Sequence, residues 1–319
     1  MSGPGPAAGH GRHPLAGAAL TTLAAFGFST VPAFAKTIYE TGTNPLGVMT
    51  TRFTFAAVIL LAVRLLFARG EAWPSARDGL TMMLFGAVGV VAVSLLYFIA
   101  IADIDTSLGI VIWYGYPVTV VVYTWLIWRR APSRTALVAM AGAIAGVALA
   151  AGEVRSGGTR TAITLIVLSA VCFGGYVIVL QRIVGRVGFL SGVTLVNAGA
   201  AAGYWFVCVL PLGRLGLPSD LEPVLPSSGR AVALIVMLAV VGTSVPFMAS
   251  MAGLRRLDPT SYSILMTIEP VIAIVIGVTF LGETMSGSRL VGAVLVIGSL
   301  IAYTAAESRR AAAVPLTQP

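Results

Sequence analysis

Ten apolar stretches of membrane-spanning length fill this chain, and the first five resemble the second five with the charge of the connecting loops reversed. A unit of five helices that is repeated once must cross the membrane in the opposite direction the second time, because five is odd. Many secondary transporters build a binding site that opens to alternate sides from two inverted copies of this kind. The pattern therefore predicts a carrier.

The composition places most of the chain in a lipid bilayer. Only 10% of the 319 residues are charged and the mean hydropathy is +0.94, whereas soluble domains carry about a quarter charged residues. The net charge of +8 does not indicate nucleic acid, because the basic residues are spread over the loops instead of forming one patch. Cys172 and Cys208 are isolated, so neither a disulfide nor a metal site is predicted, and no cofactor is expected.

Each predicted span has about the ~20 residues that an apolar helix needs to cross the hydrocarbon layer. Backbone groups in the bilayer must be hydrogen-bonded internally, so every span should be a helix. The spans are 15–35, 46–67, 79–100, 107–128, 135–152, 161–181, 189–211, 230–251, 260–281 and 287–306. We therefore expect an all-α polytopic membrane protein with ten transmembrane helices in two inverted five-helix repeats. The predicted parts are an N-terminal tail at 1–14, repeats at 15–152 and 161–306, and a C-terminal tail at 307–319.

The basic residues predict a multi-pass protein of the plasma membrane with both termini in the cytoplasm. In that orientation the inner segments hold thirteen arginines and the outer segments hold six basic residues, in agreement with the positive-inside rule. The inner arginines are Arg12, Arg64, Arg69, Arg77, Arg129, Arg130, Arg134, Arg182, Arg186, Arg255, Arg256, Arg309 and Arg310. The outer residues are Lys36, Arg155, Arg160, Arg214, Arg230 and Arg289.

The first span has a competing interpretation as a cleaved signal peptide. A basic start, an apolar run and the small residues at 33–35 fit that pattern. The repeat argues against cleavage, because Phe28 and its neighbours recur around Phe173 in the sixth span. Removal of span 1 would leave span 6 without its counterpart.

The second halves of the two units match best. Asp105-Thr106-Ser107 corresponds to Asp258-Pro259-Thr260-Ser261, and Pro117 corresponds to Pro270. Thirteen residues beyond each proline, Arg130 and Glu283 carry opposite charges. Charge that reverses together with the predicted side of the membrane indicates an inverted repeat and not a chance likeness of apolar segments.

The chain resembles the EamA-type branch of the drug/metabolite transporter superfamily over about 15–306. The residues that carry the resemblance are Arg52-Phe53, Leu281-Gly282-Glu283 and the two short turns that begin at Asp105 and Asp258. One departure is Arg129-Arg130, where the family commonly has Gly-Glu. The resemblance implies a central cavity lined by helices 1, 3, 4, 6, 8 and 9, with helices 5 and 10 at the periphery. It also implies amino acids, other metabolites or drugs as substrates, with export as the commoner direction.

Glu269 is the leading candidate for contact with a substrate. A charge within hydrocarbon costs at least ~2.5–3.5 kcal/mol on insertion scales, so it usually faces a cavity or a partner. Glu269 also precedes Pro270, which tends to kink a helix. It could bind an amine or carry a proton, and a hydrogen-bonded structural acid is the alternative.

Arg52 and Asn197 are counterparts in the repeat, and both are polar residues within spans. We expect Arg52 to brace helix ends, and coupling to transport is the alternative. The sequence does not decide whether Arg52 pairs with Glu269.

Aromatic and hydroxyl side chains at helical spacing form the remaining candidate pathway. On helix 4, Trp113 and Tyr116 share a face, and on helix 9 Tyr262 and Met266 share the face of Glu269. Packing and lipid contact are the alternatives for these residues. The other candidates are Phe28, Phe173, Tyr176, Ser263 and Ser244.

These observations favour a secondary transporter of small organic solutes. The alternative is a lipid-carrier flippase or scramblase on the same ten-helix fold, which would need a lateral opening between helices. No P-loop is present to use ATP, and no cluster of nucleophiles or metal ligands within the spans favours an enzyme. Proton coupling, facilitated diffusion and a homodimer are all compatible with the sequence.

Overall fold

The computed structural model describes residues 14–129, 132–151, 157–183, 187–210, 222–254, 256–257, 262, 265–266 and 268–313. In these residues the chain forms helices joined by turns and short loops, without a β-strand. We number the helical elements α1 to α10 in chain order. This numbering follows the ten stretches seen in the sequence.

Seven of the elements are single α-helices and three consist of two helical segments each. The single helices are α1 (Pro14–Tyr39), α2 (Pro45–Phe67), α5 (Arg134–Ala151), α6 (Gly157–Ile183), α7 (Phe189–Val209), α9 (Ile268–Phe280) and α10 (Gly287–Ala313). The divided elements are α3 (Ala76–Phe85 and Val91–Asp103), α4 (Thr106–Trp113 and Tyr116–Trp128) and α8 (Gly229–Ala239 and Val245–Leu254).

Most of these elements are long and apolar enough to cross a membrane. Among the described residues seven helices meet that condition, in α1, α2, α3, α4, α7, α8 and α10. Shorter apolar helices occur in the other three elements, at Arg134–Ala150, Arg160–Tyr176 and Ile268–Phe280. The predicted all-α membrane fold is therefore confirmed, whereas the number of ten spans stays a prediction.

The helices α3, α4 and α8 are each interrupted along their length. A π-helical turn joins the segments of α3 at Gly86–Val90, and another joins those of α8 at Val240–Ser244. The two turns are related by nearly the same sequence offset as Pro117 and Pro270. Turns of this kind are rare and often lie at functional sites. In α4 the helix breaks just before Tyr116-Pro117, because proline has no N–H to donate to the carbonyl four residues earlier.

The contacts between helices follow the repeat. Exchange of each helix for its counterpart in the other half turns the α1–α8 contact into α6–α3, α1–α9 into α6–α4, and α2–α8 into α7–α3. All six of these contacts are present. The contacts α2–α7, α4–α9 and α5–α10 each join a helix to its own counterpart. The set of contacting helices is thus the one that exchange of the two halves would give, whereas the inverted repeat itself stays a prediction.

The connections at the two ends of the bundle show which way the helices run. Asn44, in the turn after α1, hydrogen-bonds to Glu222 and Val224, which precede α8. At the other end of α2, the Arg64 Nε donates to Ser191 at the start of α7 over 2.8 Å. The α1–α2 turn and the start of α7 therefore lie at opposite ends of α2.

Small residues allow α5 and α10 to approach closely. A methyl group added at Gly146 would place its carbon 2.7 Å from the Gly292 carbonyl oxygen, and one added at Gly142 would lie 2.3 Å from the Ser299 Oγ. Close approach through small residues is typical of helix contacts in membranes. The two glycines therefore serve this contact.

We expect Gly146→Ala to destabilise the protein, because the added carbon would overlap the backbone of α10. Overpacking of this kind costs about 1–3 kcal/mol. The matched control is Gly298→Ala, since nothing lies within 4 Å of a methyl group there. Thermal unfolding in detergent should give a lower Tm for the first variant and an unchanged or higher Tm for the second. Equal Tm values would contradict the observed contact.

The predicted topology places Ala72, between α2 and α3, on the cytoplasmic side and Ser227, before α8, on the exterior side. Single cysteines would be placed at the exposed Ala72 and Ser227 in a background with Cys172 and Cys208 replaced by serine. A membrane-impermeant maleimide should label position 227 in intact cells and position 72 only after permeabilisation. The cysteine-free background controls for non-specific labelling. Labelling of both positions from one side would contradict the predicted topology.

Candidate functional site

The candidate site is built around the carboxylate of Glu269 in α9. Its side chain is partly buried, and Tyr114 of α4 lies near the carboxylate. Tyr97, Tyr116 and Tyr262 lie close enough to interact electrostatically with the same group. Residues from α3, α4 and the segment before α9 thus bring four tyrosines within electrostatic range of one acid.

Within the described part of the chain, no cationic side chain lies within 4.0 Å of the Glu269 carboxylate. The ion pairs found there are Lys36–Glu283 and Arg289–Asp105. An ionised carboxylate in a low-dielectric region needs a partner to offset the lost hydration. A bound proton or a cationic ligand would supply that compensation.

Trp113 is the centre of an aromatic cluster beside this acid. Its ring centroid lies 5.2 Å from that of Tyr116, 4.6 Å from Phe173 and 6.1 Å from Tyr97. Tyr116 and Phe173 also meet edge to face at 4.8 Å. The structure therefore brings together three residues that helical spacing and the repeat had singled out, on α4 and α6.

Hydrogen bonds fix the orientation of Trp113. Its Nε1 donates to the Ser169 Oγ over 3.2 Å, and that hydroxyl donates to the Val93 carbonyl over 2.7 Å. The ring of Trp113 is thus tied through α6 to α3. Ser169 was not among the residues predicted from the sequence, because a single serine in an apolar helix carries no distinctive signal.

The aromatic contacts continue away from Glu269. Tyr176 stacks on Phe173 at 5.7 Å and on Phe85 of α3 at 4.4 Å. Phe28 instead meets Phe247 edge to face at 5.2 Å, where α1 contacts α8. The repeat counterparts Phe28 and Phe173 therefore lie in two separate aromatic contacts, and only Phe173 belongs to the cluster beside Glu269.

The remaining candidate residues, on α8 and in the segment before α9, differ in burial and in hydrogen bonding. Met266 is partly buried and precedes Glu269 by about one helical turn. Ser244 is buried at the end of the π-helical turn of α8, where its Oγ has no hydrogen-bond partner among the described residues. Ser263 and part of the turn before Pro270 lie outside the described residues.

Arg52 is buried and holds two helices together. Its Nε donates to the Thr243 Oγ1 over 2.8 Å, in the π-helical turn of α8. Its guanidinium carbon also lies 5.2 Å from the ring centroid of Phe53 and 5.6 Å from that of Phe98. It forms no ion pair with Glu269. That Arg52 braces helix ends stays a prediction.

Asn197 occupies the corresponding position on α7. Its Nδ2 donates to the Val193 carbonyl over 2.9 Å, whereas its Oδ1 is buried without a partner in the described part of the chain. The neighbouring Val196 carbonyl oxygen would lie 1.9 Å from a carbon added at Gly86, in the π-helical turn of α3. Arg52 thus contacts the π-helical turn of α8 directly, whereas on α7 it is the backbone next to Asn197 that lies against the turn of α3.

Sequence reasoning missed Tyr97 and Tyr114. Both are buried, and the Tyr97 hydroxyl has no partner among the described residues. A tyrosine hydroxyl in hydrocarbon normally finds a hydrogen-bond partner. That rule, applied to every tyrosine within a span, would have found both. The direction of Tyr114 towards Glu269 follows from the break in α4, which only the structure shows.

Comparison with known proteins identifies the family. The sequence model of the EamA-like transporter family matches residues 15–152 and 160–305. The threonine/homoserine exporter RhtA of Salmonella typhimurium strain LT2 is 23% identical over 287 residues, which cover 85% of this chain and 85% of that protein. The corresponding protein of Escherichia coli strain K12 is 24% identical, covering 85% of this chain and 83% of that protein.

Two further comparisons agree with this result. A protein of Bacillus subtilis strain 168, described as the uncharacterized transporter YcbK, is 22% identical over 88% of this chain and 90% of its own length. A solved crystal structure with 19% sequence identity superposes with a TM-score of 0.61, covering 93% of this chain and 99% of that one, and shows the same fold. The predicted resemblance is confirmed, and the relatives are transporters and not enzymes. The chain therefore belongs to the EamA-like transporter family.

Proposed function

We propose that this protein is a secondary transporter that exports small organic solutes bearing an ammonium group across the cytoplasmic membrane. Glu269 binds the ammonium group, and alternating access exposes this site to either side. The observation that carries the proposal is a carboxylate in the apolar part of a transporter-family chain, within electrostatic range of four tyrosines and without a cationic partner in the described residues.

The chemistry of the surroundings supports an ammonium ligand. An organic cation gains from a carboxylate and also from the faces of aromatic rings, by about 0.5–2 kcal/mol for each favourable ring. Tyr114 and Tyr116 lie within electrostatic range of the Glu269 carboxylate, and the Trp113 ring lies 5.2 Å from that of Tyr116. An anion at this position would meet the charge of Glu269 and be repelled.

The names of the relatives support export of amino-acid-like solutes. Two of them are described as threonine/homoserine exporters, and each of those amino acids carries a primary ammonium group. We extend only this shared group to the present chain. The part of the substrate that lies beyond the ammonium is expected to contact the aromatic cluster around Trp113.

The architecture that we propose has ten spans in two inverted units, at 15–152 and 161–306, with both termini in the cytoplasm. The exchanged helix contacts and the opposite ends of the α1–α2 and α6–α7 connections support this arrangement. The paired π-helical turns support it as well. A two-fold axis in the membrane plane would then pass through the site, as in other carriers with inverted repeats.

Glu269 also offers a simple basis for coupling to a proton gradient. A proton and an ammonium group would compete for the same carboxylate, so release of one would accompany binding of the other. Exchange of this kind would drive export without ATP. Facilitated diffusion is the alternative, and the pH dependence of transport distinguishes the two.

Replacement of Glu269 by glutamine tests the proposal. Wild-type protein in detergent would first be screened by thermal shift against L-threonine, L-homoserine, other amino acids, aliphatic amines, nucleosides and cationic drugs. Transport of the most stabilising amine would then be measured in proteoliposomes. We expect Glu269→Gln to reduce transport by about 10- to 100-fold, because a hydrogen bond to a charged group contributes about 1.5–3 kcal/mol.

Two further variants make that result interpretable. Glu222→Gln removes an exposed carboxylate in the loop before α8 and should leave transport unchanged. Glu269→Asp keeps the charge and should retain part of the activity. Wild-type transport by Glu269→Gln, with the same pH dependence, would remove this carboxylate from the mechanism. Inactive but well-folded Glu269→Asp and Glu269→Gln variants whose ligand stabilisation is unchanged would contradict its role in binding.

A further inference from the structure

Glu283 joins the two motifs that carry most of the family resemblance. Its Oε1 accepts hydrogen bonds from the Thr106 N–H and hydroxyl, at 2.6 and 2.8 Å, and its Oε2 accepts from the Ser107 N–H and hydroxyl, at 2.9 and 2.6 Å. The carboxylate thus caps the N-terminus of α4, where the helix dipole favours negative charge. Lys36 at the end of α1 lies 3.8 Å from the same carboxylate. We call these contacts the Glu283 clamp.

The local backbone holds Glu283 in this position. Gly282 adopts a left-handed conformation with φ of 65°, and the Glu283 N–H donates to the Gly277 carbonyl over 3.1 Å. A carbon added at Gly277 would lie 2.5 Å from the Glu283 Oε2, so only glycine leaves room for the carboxylate. Burial alone would raise the pKa of Glu283, but the hydrogen bonds from Ser107 and Thr106 outweigh it and hold the pKa below its usual value.

The hydrogen bonds and the ion pair of the Glu283 clamp all cross between the two halves of the chain. Thr106, Ser107 and Lys36 belong to the first half, whereas Glu283 belongs to the second. A parallel ion pair joins Asp105, just before α4, to Arg289 in α10 at 2.5 Å. Movement of one half against the other that opened this end would therefore have to break the clamp and the ion pair together.

The residues at the corresponding positions on the predicted cytoplasmic end cannot form the same clamp. The repeat counterpart of Glu283 is Arg130, whose guanidinium group has no hydrogen-bond acceptor. The counterpart of Thr106 at the offset of the two prolines is Pro259, which has no backbone N–H to donate. The acceptor and one of its donors are thus both absent at the other end, so the two ends differ chemically although the helices are related by the repeat.

We infer that the Glu283 clamp is a one-sided latch, which keeps the predicted exterior end of the transporter closed and favours the conformation open to the cytoplasm. This inference rests on the proposed function and topology. An exporter must load its solute from the cytoplasm, so a closed exterior end is the useful resting state. The latch opens when the carboxylate and the N–H groups of α4 exchange their mutual hydrogen bonds for water.

The latch is tested by a distance measurement across the exterior end. Spin labels would be attached to cysteines at the exposed Ala102 and Thr284, one in each half, with Cys172 and Cys208 replaced by serine. Double electron–electron resonance in nanodiscs compares Glu283→Gln with the matched control Glu222→Gln. The amide of glutamine would turn an N–H group towards the donors of Ser107, so we expect the fraction at longer distances to rise about tenfold. The control should keep the wild-type distances.

Several outcomes decide the inference. A distance distribution of Glu283→Gln equal to that of the control would overturn the latch, as would a lower Tm without longer distances. If Glu283→Gln does not fold, Asp105→Asn breaks the parallel link and must lengthen the same distances for the latch to stand. Failure of the latch is distinguishable from failure of the proposed function, because ligand binding and transport depend on Glu269, which is unchanged in all of these variants.

Discussion

The cost of removing charge from water is the constraint on which the rest of this structure depends. Arg52 meets that cost with the hydroxyl of Thr243 and with two aromatic rings. Glu283 meets it with four hydrogen bonds from the start of α4. Glu269 has tyrosine neighbours but no cationic partner among the described residues. The first two charges therefore join helices, whereas the third is the group that we propose to bind the ligand.

The two halves share their helix contacts, and the proposed function depends on positions where their residues differ. The helix contacts exchange between the halves, and both α3 and α8 carry a π-helical turn. The residues at matching positions nevertheless differ where chemistry is expected: Tyr116 corresponds to Glu269, and Arg130 corresponds to Glu283. In our proposal, these two differences between the halves create one acidic binding position and one latched end. That asymmetry would give a direction to a fold whose two halves are otherwise alike.

Much of the fold could be predicted from the sequence, because apolar length and repeated motifs are local properties. The shared face of Trp113 and Tyr116 followed from helical spacing, whereas their contact with Phe173 is shown by the structure. The contact between Glu283 and Thr106 did not, because the two residues are 177 positions apart and meet only when the halves pack. Tyr114 was missed for a similar reason, since its direction depends on the break in α4.

The most direct test of the central claim is counterflow in proteoliposomes that contain the purified protein. Vesicles are loaded with a high concentration of an unlabelled amine that stabilises the protein and diluted into the same amine in labelled form, without ATP or an ion gradient. A carrier with alternating access predicts transient accumulation of label above the external concentration, which the Glu269→Gln variant should lose. Equilibration without any overshoot by the wild-type protein would contradict alternating access at this site.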